Sequence, residues 1–447
     1  MRLVVIGGNA GGMTALSQVR KRRRDVEIVV LEQGEWTSYS SCGIPYLVAG
    51  DLGPGTGVDD LVVRTPQEFR DKLLVDVRTG HEVKAVDLDQ RHLEVRDHGH
   101  GRTIRVGFDE LLVATGASPI RPPLPGIDHE SVRGVQTLGD AAALLDDAAA
   151  MECRRVVVVG SGYIGLEMAE AFLTRGAQVT VVEAAEQPMR TLDPDMGALV
   201  ADSLAATGAE LRLGTAVEGF EPGMVHTSAG SIPADLVVLG IGVAPNTALA
   251  GEAGVPLGAK GAIRVTPRQQ THVDGVWAAG DCCESYHRVA RDWVHIALGT
   301  VANRQSRVAG INLGGGAASF PGVLGTAVTR LCRTEIGRTG LTEGEAAAAG
   351  LGAAAVTVRA TNQAGYLPSA EEMTVKMVAE RGTGRLLGAQ IVGGEHSAKR
   401  IDTVATALWN EMSVHEMVDV DLSYAPPLSP LWDPVTVAAR QASSAVG

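Results

Sequence analysis

Residues 155–165 read Arg-Val-Val-Val-Val-Gly-Ser-Gly-Tyr-Ile-Gly, an apolar run that breaks at Gly160 and resumes as a helical pattern from about Ile164 to Thr174. Arg155–Val159 has the β-branched density of a buried strand, and Gln178–Val182 repeats it. Strand, glycine turn, helix and strand form a β-α-β unit. Gly160 permits the tight turn, Gly162 lets backbone approach a pyrophosphate, and Gly165 lets the helix pack closely on the strand. The helix opens at Tyr163 and Ile164, and its free N–H groups suit phosphate. Glu183 ends the second strand, 18 residues past Gly165, where a carboxylate accepts from a ribose 2′-hydroxyl. That carboxylate repels a 2′-phosphate and leans the unit towards NADH, while nearby Arg190 keeps NADPH open.

The N-terminus follows the same plan. An apolar run at 2–7 enters the turn Gly7-Gly8-Asn9-Ala10-Gly11-Gly12. A helical pattern runs from Met13 to about Lys21, and a strand, Glu27–Leu31, ends at Glu32. Asn9 stands at the usual second glycine, and is expected to be tolerated because Asn adopts positive φ more readily than most residues. Two dinucleotide turns in one chain point to a flavin and a nicotinamide working as an electron relay. Short strands with charged turns fill residues 74–113 and close in FDELLVATGASP, which carries Thr115 and Gly116. A similar closing stretch at 234–246 carries Gly242, and a third at 275–281 ends in Gly280 and Asp281. The run 314–319, Gly-Gly-Gly-Ala-Ala-Ser, reads as a linker. After it come strand patterns at 323–331, 353–361 and 373–380 and a helical pattern at Ser397–Met412, an α+β module after two α/β domains.

Composition bounds the function. A chain of 447 residues is expected to hold two or three domains. A net charge of −13 argues against nucleic-acid or anionic-membrane partners. No apolar run is long enough to span a membrane, and the N-terminus reads as a strand and turn rather than a signal peptide. The five cysteines, Cys42, Cys153, Cys282, Cys283 and Cys332, are too few for a disulfide framework and suit a reducing cytoplasm. Cys153 and Cys332 read as structural. His81, His272 and His295 lack metal-ligand spacing, so no metal site is expected.

Cys42 lies in Ser38-Tyr39-Ser40-Ser41-Cys42-Gly43-Ile44-Pro45-Tyr46. Pro45 suits the first turn of a helix through Val48, which puts Cys42 just before a helix N-terminus. The helix dipole there is expected to lower the thiol pKa. No second cysteine lies nearby in sequence, so Cys42 has no local disulfide partner. It can alternate between thiolate and a mixed disulfide with a substrate thiol, or between thiolate and sulfenic acid.

Taken in order, SYSSCGIPY, LLVATGASP, VVVVGSGYIGLEMAE, LGIGVAPNT, GVWAAGDC, ALGTVANRQSRVAGINLGG, AKRIDTVA and SYAPPLSPLWDPV make the whole chain resemble one family. It is similar to the single-cysteine pyridine nucleotide-disulfide oxidoreductases, in the coenzyme A disulfide reductase and NADH oxidase branch. The resemblance implies two Rossmann-like domains and a C-terminal α+β dimerisation domain. The expected boundaries are 1–118 with 249–318 for FAD, 119–248 for NAD(P)H and 319–447 for dimerisation. It implies that Gly7, Asn9, Ala10, Gly11, Gly12 and Glu32 hold the ADP half of FAD, with Val83 backbone near the adenine. Asp281 would face the ribityl or pyrophosphate region, and the 295–300 segment, with Ala297, would pass the flavin ring. Gly160, Gly162, Gly165 and Glu183 would hold NADH or NADPH.

Hydride would pass from nicotinamide to flavin, and electrons from flavin to Cys42. The resemblance further implies a homodimer with shared active sites, in which Tyr366 and Tyr424 reach the partner's site and protonate a leaving thiolate. Ala10 stands where peroxidases and water-forming oxidases of the family carry a histidine, which lowers the peroxidase reading. The basic run 20–24 is expected to anchor the phosphates of CoA through Arg20 and Arg22, with Ser38 and Ser41 along the pantetheine arm. Ser41 replaces the Asn often found before this cysteine. No appended rhodanese domain is expected from the residues read, which leans the expectation towards a small-molecule disulfide. The expected activity is reduction of CoA disulfide or a CoA mixed disulfide or persulfide. The alternatives are an NADH oxidase, a polysulfide reductase, or a redox-signalling flavoprotein.

Overall fold

The computed structural model describes residues 1–150 and 154–447; the Cys153 expectation lies outside the described residues. Two parallel five-stranded sheets carry the two β-α-β units. In the first, the strands run in the order 276–278, 110–113, 2–6, 27–31 and 76–78. In the second the order is 210–212, 178–182, 155–159, 236–239 and 132–133. Val-rich strands form such sheets because both faces are covered. Leu3, Val5, Ile28 and Val30 pack on Met13, Leu16 and Val19 of the helix Ala10–Arg22. Val4, Ile6, Val29 and Leu31 face Leu93, Val95 and Val106 of an antiparallel three-stranded sheet.

The first sheet takes strands from both sides of the second unit, so the chain crosses between them twice. The crossings pair antiparallel as Ala117–Pro119 with Val243–Pro245. Thr115 Oγ1 donates to Asn246 O at 2.6 Å and Asn246 Nδ2 donates to Thr115 O at 2.9 Å. The LLVATGASP and LGIGVAPNT motifs are therefore the two halves of one crossing point.

The third sheet is antiparallel, in the order 327–331, 334–340, 386–393, 372–380 and 353–361. The strands at 334–340 and 386–393 and the last helix, Pro434–Val446, had no counterpart in the sequence reading. The 386–393 strand is buried throughout except its last residue, so it shows no alternation to read. The helical pattern at 397–412 is a 3₁₀ turn leading into a helix that ends at Trp409.

A polar cluster ties this sheet to the second unit. Lys376 Nζ lies 2.7 Å from Asp195, 2.5 Å from Glu343 and 3.4 Å from Asp193, and its side chain is 6% exposed. Gln390 donates to Asp193 at 2.5 Å and accepts from its N–H at 2.6 Å. Burial opposes charge on Asp195, but Lys376 outweighs it and holds the carboxyl below its usual range. Its stabilisation is thus present above about pH 4 and is lost as pH falls through the folded value. Lys376→Met should cost about 3 kcal/mol, chiefly by removing the cation facing the buried Asp193 carboxylate, since Asp195 and Glu343 are half exposed and screened by water. Urea unfolding at several pH values checks this, and the variant should also lose part of the acid dependence.

Candidate active site

Both glycine turns work by exclusion. A Cβ at Gly12 would stand 2.0 Å from the carbonyl oxygen of Gly7, and one at Gly165 2.0 Å from that of Gly160. Only glycine lets each helix start so close to its strand, which aims the helix N–H groups into the space beyond the turn. Glu32 receives Gly8 N–H at 2.7 Å and Gly34 N–H at 2.8 Å. Glu183 receives Ser161 N–H at 3.0 Å, Ser161 Oγ–H at 2.7 Å and Ala185 N–H at 3.0 Å. Each carboxylate is thus held beside its turn.

The turns open on one continuous cavity of 2810 Å³. That exceeds the roughly 300–1,000 Å³ of a single small-ligand site. Every expected cofactor residue lines it except Gly12 and Gly165, which lie beneath the turns. Ser38, Ser41, Cys42 and Arg190 line it too. Asp281 Oδ1 is buried there without a hydrogen-bond partner, and burial pushes its carboxyl up. An orphaned acceptor in a cavity bounded by two phosphate turns fits a polyhydroxyl cofactor such as FAD, and the second turn fits NAD(P)H.

Asn9 differs from expectation. Its φ of −108° and ψ of −153° are extended, so positive φ plays no part in its choice. Cys42 lies in a 3₁₀ turn, Ser41–Gly43, before the six-residue helix Ile44–Ala49. The thiol faces the cavity, yet its pKa is raised rather than lowered. Surrounding protein strips water from it, and the negative charges of Glu167 and Asp281 add to the effect. This corrects the expected dipole activation: a short helix offers little against burial and two acids.

Arg20 is also corrected. It is 9% exposed, and its guanidinium donates to the carbonyls of Arg23, Arg24 and Leu74. It caps the end of its own helix and is not free for phosphate. Arg22 is exposed and donates to Gln18, whose side chain lines the cavity. Tyr366 and Tyr424 are 74% and 48% exposed and do not line the cavity of their own chain. The Ala364 N–H bond to Pro426 O, 2.9 Å, brings their two segments together. Cys282 and Cys283 are buried with their sulfurs 3.7 Å apart, and no metal-holding cluster exists among the described residues.

Two residues escaped the sequence reading. Glu167 lines the cavity, accepts from Thr329 Oγ1 at 2.9 Å, and is pushed up by burial. Tyr163, Glu167 and Glu170 fall at i, i+4 and i+7 on one half-exposed face of the helix, opposite the buried Leu166, Met168, Ala169 and Phe172, and that polar spacing is the signal that would have found it. Tyr39 lines the cavity as well, its phenol pushed up to about 12 by burial and then by Glu32 and Asp140.

The comparisons agree with this geometry. Residues 1–306 match the pyridine nucleotide-disulphide oxidoreductase family and residues 326–434 its dimerisation domain. The chain belongs to that family. Its members are FAD-dependent oxidoreductases that use NAD(P)H, and this chain is such an enzyme. It is 37% identical to an NAD(P)H coenzyme A polysulfide/persulfide reductase of Pyrococcus horikoshii over 98% of each chain. It is 35% identical to an NADH oxidase of Methanocaldococcus jannaschii, over 99% of this chain and 98% of that one. The solved NAD-dependent persulfide reductase of A. fulgidus superposes with a TM-score of 0.95 at 35% identity, covering 99% of this chain and 83% of that one. No helix among the described residues is long and apolar enough to cross a membrane.

Removing the Glu167 charge should lower the Cys42 pKa. Iodoacetamide alkylation of Cys42 across pH checks this: in Glu167→Gln its midpoint should move to lower pH.

Proposed function

We propose that this enzyme reduces sulfur–sulfur bonds carried by coenzyme A, in CoA disulfide or in a CoA mixed disulfide or persulfide, through Cys42. The observation that carries the reading is a lone thiol facing a cavity that Ala10 also lines, with the other described cysteines lying elsewhere. Such a site has a nucleophile for sulfur and, at position 10, no acid or base for oxygen chemistry. The CoA-linked sulfur reductase of Pyrococcus horikoshii supports the same substrate class.

In this reading Cys42 thiolate attacks one sulfur of the substrate, forms a mixed disulfide and releases a thiolate that takes a proton. Bound FAD would relay two electrons from NAD(P)H to that mixed disulfide. The sum is one disulfide plus NAD(P)H and a proton, giving two thiols and NAD(P)⁺. Burial and the acids near Cys42 favour the thiol, so the thiolate needs compensating charge or hydrogen bonds at the moment of attack. Tyr366 and Tyr424, exposed on one chain, would serve the cavity of a partner in a homodimer and protonate the leaving thiolate. The CoA arm would run along Ser41 and Ser38, with its phosphates near Gln18 and Arg22 at the far end of the first helix. The free thiols fit a reducing cytoplasm.

Anaerobic NADH consumption with CoA disulfide, against glutathione disulfide and no acceptor, tests the substrate. Turnover should need CoA disulfide, and Cys42→Ser should abolish it while NADH still bleaches the flavin. Disulfide turnover retained by Cys42→Ser sinks the mechanism, and oxygen-linked NADH use indifferent to CoA disulfide supports the oxidase reading instead. Glu183, held by Ser161 and Ala185, should favour NADH, with Arg190 on the same cavity wall tempering the preference. Glu183→Ala should raise kcat/KM for NADPH relative to NADH by about tenfold, the scale of one removed charge–charge contact.

A further inference from the structure

Asn9 is the residue before the first helix, where an Asn side chain ordinarily turns back to accept from the second or third helical N–H. Here it makes no such cap. The first N–H groups of the helix are left for phosphate, and the amide is spent elsewhere. Asn9 Oδ1 accepts from Tyr39 N–H at 3.1 Å, and its Nδ2 donates to Ser41 Oγ at 3.3 Å. One residue earlier, Gly8 O accepts from Ser38 N–H at 2.9 Å. Ser38 itself has a φ of 51°, a strained value for Ser, at the point where the loop bends onto the turn. Three bonds thus join residues 8–9 to residues 38–41, and Cys42 is next in the chain.

We propose that Asn9 is a positioning residue that ties the first glycine turn to the Cys42 loop, so that cofactor seating and the placing of the thiol are coupled. Glycine at position 9 would satisfy the turn equally well, since the backbone is extended and needs no special freedom. It would forfeit both side-chain bonds, leaving Ser41 without its Asn9 partner. The loop would then hang from the turn by the Ser38 bond alone. Asn at this position is therefore explained by the loop and not by the turn. Because a sulfur nucleophile must meet both its substrate and the cofactor, freedom in the loop costs reaction geometry. The proposal rests on Cys42 being the redox cysteine and is indifferent to which disulfide it reduces.

The test is a double-mutant cycle on the flavin-loaded enzyme with N9G, S41A and N9G/S41A. The readouts are the iodoacetamide alkylation rate of Cys42, followed on its peptide by mass, and disulfide turnover. S41A should speed alkylation by about fivefold as the loop loosens, the scale of one side-chain hydrogen bond, and N9G, which loses two, by at least as much. The double variant should match N9G, because the Asn9–Ser41 bond is already lost once Asn9 is removed. Factors that multiply in the double variant, or an S41A rate equal to wild type, overturn the proposal. Should N9G fail to retain flavin, S41A alone decides by the same alkylation criterion. Alkylation needs no substrate, so an enzyme inert towards CoA disulfide defeats the substrate reading and leaves this one to be judged separately.

Discussion

The closeness of helix to strand at the two glycine turns is the constraint on which the rest depends. With 2.0 Å between a notional Cβ and the carbonyl beneath it, neither Gly12 nor Gly165 has an alternative. Each turn then delivers a helix N-terminus to one end of the shared cavity, and a carboxylate, Glu32 or Glu183, beside it. A larger residue would push the helix off its sheet, and backbone N–H groups would no longer converge on a phosphate. The paired crossing at 117–119 and 243–245 fixes how the two ends face each other. Redox chemistry between two bound cofactors needs that fixed relation more than any single contact.

The strands of both β-α-β units were legible because buried parallel strands are continuous runs of Val, Ile and Leu closed by glycine. Glu27–Leu31, Arg155–Val159 and Gln178–Val182 fall where the pattern puts them. The 386–393 strand was not legible, since runs such as Leu-Leu-Gly-Ala carry neither alternation nor branching. The site divides in the same way. Residues whose task is backbone approach show in the sequence as glycine. Residues whose task depends on another element do not: Arg20 looks like a free cation until its carbonyl partners, from Arg23 to distant Leu74, are seen.

Cys42 shows the limit of local reasoning most clearly. A helix start beside a thiol argues for thiolate, and its sign is right for a long, exposed helix. Here the helix has six residues, and the neighbouring charges come from Glu167, on the second unit, and Asp281, at the end of a distant strand. Chain distance hides both acids. The result is a thiol whose pKa is pushed up by burial and by two acids, opposite to the sign that the helix start alone argues.

The third sheet completes this arrangement rather than merely following it. Thr329, on its first strand, donates to Glu167 and so holds the carboxylate that acts on Cys42. Lys376 gathers Asp193 and Asp195 from the segment after Glu183, and Arg338 donates to Thr191 O at 2.6 Å. Arg338 is 6% exposed and also pairs with Glu345 at 2.7 Å, so its position is fixed from both sides. These contacts place one wall of the cavity, from Tyr163 to Thr191, under the control of a sheet that contributes no nucleotide turn. A partner docking on that sheet would bear on the same wall. The electrostatics of the site thus depend on strands that lie within the residues matching the dimerisation domain.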